Sequence, residues 1–224
     1  MSMTVAPCTF EAARYATMNW HYSEAMPSGK LVRFGVWEDR RFTGAIIFGR
    51  GATPQLVKPY GLQQTEACEL VRIAMKQHTA PVTQAVAEAI RQLKRTNPGL
   101  RLVISFADPA QGHEGKIYQA GNWLYTGRSA DANFFRTPDG RLIHPRTIQA
   151  RKGKNFGGDI EPSYEKVSRP GKHRYLMPLD RKMRKELQHL IKPYPRGGSV
   201  KGDAPDTPSG EAGSIPARRS KEEA

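Results

Sequence analysis

Apolar and polar positions recur along this chain with two periods, and the switches between them mark its elements. Residues 31–37 (LVRFGVW) and 43–48 (TGAIIF) alternate at the two-residue spacing of half-buried strands. Glu38-Asp39-Arg40-Arg41 between them predicts a turn, so the pair reads as a β-hairpin. Residues 49–61, rich in Gly and Pro, predict loop. Residues 68–75 predict a strand whose polar members, Glu69 and Arg72, fall on opposite faces under that period. A helical period then takes over. Val82, Ala85, Val86, Ala89, Ile90 and Leu93 form one stripe of a helix predicted over residues 79–96. Pro81 suits its first turn, Arg91, Lys94 and Arg95 its last, and Asn97-Pro98-Gly99 stops it.

The stretch from 101 to 127 reads as strand, polar loop, short helix, strand. Leu102, Val103, Ile104 and Phe106 form a short apolar run, broken by Asp108-Pro109, and Gly112 and Gly115 free the loop to turn. Residues 116–121 are too few for an independent helix and need packing to hold them. Asn122 follows at a position suited to a left-handed residue, and residues 123–126 predict a strand. Ser105 and Asp108 close the first strand at its C-terminal end, where open α/β sheets place ligands.

Elsewhere the signals are weaker. Residues 1–18 carry only a short helix at 11–18. Residues 133–135 and 142–144 read as a polar strand-and-turn region, residues 151–158 (RKGKNFGG) as a basic, Gly-rich, mobile loop, and residues 172–179 as a final strand. Asp180 suits the N-cap of a basic helix to residue 192. After Pro195 the composition predicts disorder. The expected division is an N-terminal segment (1–18), a core (19–140), a basic extension (141–194) and a tail (195–224).

Charge sharpens this picture. The chain of 224 residues has a net charge of +14, and residues 141–196 hold 15 Lys/Arg against 5 Asp/Glu. Such density calls for a polyanion, and nucleic acid is the expected partner. Arg151, Lys152, Lys154, Lys172 and Arg174 are the expected phosphate contacts. No apolar run reaches membrane-spanning length, so the expectation is a soluble, cytoplasmic protein with no membrane partner. Cys8 and Cys68 lack metal-ligand spacing and read as free thiols.

The run Ile117-Tyr118-Gln119-Ala120-Gly121-Asn122-Trp123, leading into Tyr125-Thr126-Gly127, resembles the last motif of the GNAT acyltransferase fold. Ser105-Phe106-Ala107-Asp108 with Gly115-Lys116-Ile117-Tyr118-Gln119-Ala120 is similar to the phage Mom family of DNA-modification proteins. The resemblance spans roughly residues 19–190. It implies an α/β, GNAT-like mixed central sheet flanked by helices, with the hairpin first. It also implies an enzyme, a transferase placing a carbamoylmethyl group on adenine N6 of its double-stranded DNA partner and so shielding phage DNA from restriction.

The resemblance implies a site as well. Tyr118 would face the donor as the leaving group's proton source, with Ser105, Asp108 and Tyr22 as further catalytic candidates. Val71, Arg72 and Ile73 on a splayed strand would offer groups to a small-molecule donor, an acyl-CoA or a relative. Lys76, Thr79 and free amides at the next helix N-terminus would hold its pyrophosphate, although residues 76–81 lack the family's glycines. His21, with carboxylate or phenolate oxygens, is the candidate ligand for iron. Adenine N6 is a poor nucleophile and is paired in duplex DNA, so the base must be flipped into a pocket. Tyr22, Trp20 or Trp123 would stack on it.

Each candidate has a second reading. Tyr118 also suits a packed core, Ser105 and Asp108 suit caps, and His21 and Tyr22 suit hairpin-edge packing. Two rival functions stand beside the first: a GNAT N-acyltransferase acting on a protein, tRNA or small amine, and a non-enzymatic DNA-binding protein on a GNAT scaffold.

Overall fold

The computed structural model describes residues 2–51, 53–143 and 163–195, with 145 and 148 as isolated positions between them. The expected loop at 151–158, His144 and the tail after Pro195 lie outside these residues.

The predicted hairpin is present as β2 (Leu31–Glu38) and β3 (Arg41–Gly49). Asp39 and Arg40 both take positive φ, the two-residue turn whose twist matches the paired strands. Ahead of it, β1 (Met3–Pro7) pairs antiparallel with β2, although the sequence there gave no strand signal. The helix expected at 11–18 runs further, as α1 (Phe10–Trp20), and Thr9 caps it by accepting the Ala12 N–H at 3.2 Å.

β4 (Ala67–Met75) continues the sheet antiparallel to β3, and β5 (Leu102–Ala107) lies parallel to β4. The crossover is α2 (Val82–Thr96), whose predicted stripe is buried from Ala85 to Leu93. It starts three residues later than predicted, with Pro81 as N-cap. α3 (Lys116–Ala120) joins β5 to β6 (Leu124–Arg128).

A small second sheet holds β7 (Ala132–Arg136), β8 (Leu142–Ile143) and β9 (Glu165–Arg169). The chain then returns as β10 (His173–Pro178), which inserts between β5 and β6. The central order is β1-β2-β3-β4-β5-β10-β6. The sheet thus takes β1 from residues 1–18 and β10 from residues 141–194 as well as strands from residues 19–140.

The last helix, α4 (Arg181–Glu186), is shorter than the predicted run to 192. Leu187 turns in to bury itself, and a 3-10 turn follows at Gln188–Leu190. The sheet is covered on both faces. α2 and Tyr118 pack on Phe34, Ile46, Leu70, Val103 and Tyr175. On the opposite face, α1 packs on Ala45, Ile47 and Ala74, and Met183 and Leu187 pack on Leu102, Ile104 and Leu176. The result is the mixed, helix-flanked α/β architecture that the resemblance implies.

One irregularity shapes the site. Ile47 pairs with Arg72 and Phe48 with Leu70, so Val71 is an extra residue in β4, a β-bulge. Core-facing positions shift from Cys68 and Leu70 to Ile73 and Met75 across it. The bulge thus puts Glu69 and Arg72 on one face, correcting the opposite-face expectation.

Candidate active site

β4 and β5 are in register only from Ala67↔Leu102 to Leu70↔Ser105. Beyond that pair the strands part, and a cleft of about 530 Å³ opens between them. Trp20, His21 and Tyr22 form one wall, Val71, Arg72 and Ile73 another, and the loop from Gly112 to Gly115 with the first turn of α3 a third.

Tyr118 sits at its floor. A carbonyl only accepts, so the single hydroxyl hydrogen of Ser105 goes to Leu70 O at 2.8 Å. Tyr118 then donates its own hydrogen to Ser105 Oγ, also at 2.8 Å. Burial pushes the phenol up to about 12, so Tyr118 stays protonated near neutrality. It is a donor or acid there, not a base.

Gly115 fixes the approach of α3. Its φ is +79°, and a Cβ there would lie 2.3 Å from Tyr175 Cε2. Only glycine meets both the backbone and the space requirement. Tyr175 donates its hydroxyl to Glu114 O and accepts from Gln119 Nε2 at 3.1 Å, tying β10 to α3.

Ser105 is fully buried beneath Tyr118. Asp108 caps the turn Pro109–Gln111, accepting the Ala110 N–H at 3.0 Å, and pairs with Lys172 Nζ at 3.3 Å. Neither residue lines the cleft. Tyr22, half-exposed, does; its ring lies 4.3 Å from His21 and 5.1 Å, edge-on, from His113. Trp20 also lines the cleft, whereas Trp123 is buried behind Tyr118, ring centroids 5.1 Å apart, and cannot stack on a base. Tyr125 is occupied with His173 Nδ1 at 2.9 Å.

Arg72 presents its guanidinium to the cleft. It donates to Val71 O at 2.7 Å and Ala25 O at 3.4 Å, while Nε is buried with no hydrogen-bond partner. Lys76 lines an adjoining depression with Trp20, His21 and Tyr22. The Thr79 amide is not free as expected: it and the Ala80 amide donate to Glu38. The Thr79 and Ala80 amides are therefore not free to hold the pyrophosphate of an acyl-CoA.

His21 Nδ1 is taken up by Ser23, whose Oγ lies at 2.8 Å and whose N–H lies at 3.1 Å, so only Nε2 is left to face a ligand. Burial, then Arg72, His113 and Lys172, lower its pKa to about 4. Among the described residues no group of three or more His, Cys, Asp or Glu is placed to hold a metal. Cys8 and Cys68 are free thiols, and burial pushes Cys68 up to about 12.

Of the expected DNA contacts, Arg151, Lys152 and Lys154 lie outside the described residues. Lys172 is engaged with Asp108 at the end of β5, and the Arg174 guanidinium lies beside the Tyr60 hydroxyl. Among the described residues no helix is long and apolar enough to cross a membrane. Two residues of the site carried no sequence signal: His113, in the loop over Tyr22, and Glu38, at the α2 N-terminus.

Comparison with known proteins matches residues 2–196 to the model of the Mom protein family. The methylcarbamoylase Mom of Escherichia phage Mu is 26% identical over 194 residues, covering 82% of this chain and 80% of that protein. Among solved structures, the ribosomal-protein-S18-alanine N-acetyltransferase of Escherichia coli overlaps with a TM-score of 0.47 at 10% identity, covering 80% of this chain and 95% of that one. A Bacillus subtilis acetyltransferase solved in complex with CoA overlaps with a TM-score of 0.45 at 14% identity, covering 80% and 100%.

Proposed function

The chain belongs to the Mom protein family, and from that premise we propose that it is a transferase that places a carbamoylmethyl-type group on adenine N6 of phage DNA, shielding it from host restriction. The observation that carries this reading is the Tyr118–Ser105–Leu70 hydrogen-bond chain at the floor of the cleft. Transfer to N6 forms a bond from nitrogen to the donor carbon and breaks the bond to the leaving group. N6 gives up one proton and the leaving group takes one. Tyr118, protonated, is the cleft residue suited to supply it. Its hydrogen turns from Ser105 Oγ to the leaving group, Ser105 turns its own hydrogen from Leu70 O to the phenolate oxygen, and the N6 proton passes to water.

Tyr22, half-exposed at the mouth, is suited to stack on a flipped base. Arg72, which lines the cleft, is suited to hold a polar or anionic group of the donor through its guanidinium. DNA would be positioned through phosphates by the basic stretch, including exposed Arg181, Lys182, Arg184 and Lys185 of α4. Duplex affinity should then fall with salt by about 0.9 in log K per log salt for each phosphate contact.

The deciding experiment is mass spectrometry of nucleosides from DNA of cells expressing the protein. The expected result is a deoxyadenosine heavier by the added group, lost in Tyr118→Phe. Unmodified adenosine in cells making folded parent protein would overturn the reading.

A further inference from the structure

The α2 N-terminus already holds an anion. Glu38, the last residue of β2, is 6% exposed, and both its carboxylate oxygens are used. Oε2 accepts the Thr79 N–H at 2.7 Å and Oε1 the Ala80 N–H at 2.8 Å. Pro81 follows and has no N–H to add. A carboxylate at this place is what the helix dipole favours.

The same hairpin pins the loop. Arg41 donates to Gln77 O at 2.6 Å, and the Lys76 N–H donates to Thr43 O at 2.9 Å. Gln77 is held at a φ of +52°. No glycine lies between residues 76 and 81 to let the amides turn.

A phosphate at a helix N-terminus is held by free N–H groups. Here the two amides that precede Pro81 are spent on Glu38, so the N–H groups left at this end are those of Val82 and Thr83, and a phosphate reaching them would meet the like charge of Glu38. We propose that Glu38 is the resident anion of the α2 N-terminus and that the group donor is a compact molecule with no diphosphate arm on that helix. This rests on the proposed function only for there being a donor. The donor class it names is one held within the cleft, along Val71 to Ile73 and Arg72, rather than one anchored by a nucleotide.

The test uses the full chain labelled with 15N, following the Thr79 and Ala80 amide resonances during titration with inorganic pyrophosphate and then coenzyme A. Both resonances should stay in place with the parent protein at millimolar ligand. In Glu38→Gln, which keeps the shape and removes the charge, pyrophosphate should move them. Saturable shifts of these amides in the parent protein would overturn the proposal, and so would a folded Glu38→Gln protein whose amides stay fixed. If that variant does not fold, the parent titration decides alone. The readout is binding at two amides, so its failure is separate from failure of nucleoside modification in cells.

Discussion

The Tyr118 hydroxyl lies 2.8 Å from Ser105 Oγ, and Ser105 lies 2.8 Å from the Leu70 carbonyl, at the last register pair before β4 and β5 part. The phenol is therefore fixed by the point where the sheet splits. Tyr118→Phe keeps the ring against Trp123 and Tyr175 and removes only the hydroxyl. Stability should fall by about 1 kcal/mol. Adenine modification should fall by about 10²–10⁴-fold, the usual scale of positioned proton transfer. A folded Tyr118→Phe protein that modifies adenine at the parent rate would remove the catalytic assignment.

Gly115 and Tyr175 make a second checkable pair. Gly115→Ala places a methyl group against the Tyr175 ring and strains a left-handed backbone. Overpacking of this kind costs about 1–3 kcal/mol. Melting curves should show that loss. Activity should fall further than in a surface control, because α3 carries Tyr118. An unchanged melting transition would mean the ring moves aside freely.

What the sequence made legible follows the strength of its local patterns. The hairpin and α2 have long, regular periods and appear where predicted. β1 is five residues with only Val5 buried, so pairing along β2 makes it a strand, and that pairing leaves no mark on the local sequence. The bulge at Val71 is likewise silent, although it decides that Glu69 and Arg72 share a face. Tyr118 was legible through a motif, and its bond to Ser105 spans only 13 residues. Glu38 meets the Thr79 and Ala80 amides across 41 and 42 residues, and nothing near either end announces the contact. Trp123 was misread because a strand aromatic beside a motif looks the same whether it faces the cleft or the core.

Asp180 joins α4 to the sheet. Its side chain accepts the Met183 N–H at 2.6 Å and pairs with Arg101 Nε at 3.0 Å. Arg101 also returns its carbonyl to the Leu179 N–H at 2.8 Å. Asp180→Ala should cost about 0.5–2 kcal/mol, the range for losing an N-cap. Asp180→Asn keeps the cap and loses the charge, so it should recover most of that in denaturant titration. Equal losses in both variants would assign the effect to the ion pair instead.

His21 sets the pH dependence. Its folded pKa lies at about 4, against the ordinary 6.5, because burial first and then Arg72, His113 and Lys172 oppose a charge there. Above pH 6.5 the ring is neutral in both folded and unfolded chains, and it adds no slope. Between 6.5 and 4 the unfolded chain takes up the proton while the folded one does not, so stability is lost as pH falls through that window. Below 4 both forms bind it and the loss levels off. His21→Asn keeps an acceptor for the Ser23 N–H without a titrating ring. Its melting temperature should fall less than the parent's between pH 6.5 and 4 at fixed salt. Parallel curves for the two proteins would show that His21 titrates normally and that Arg72, His113 and Lys172 do not act on it.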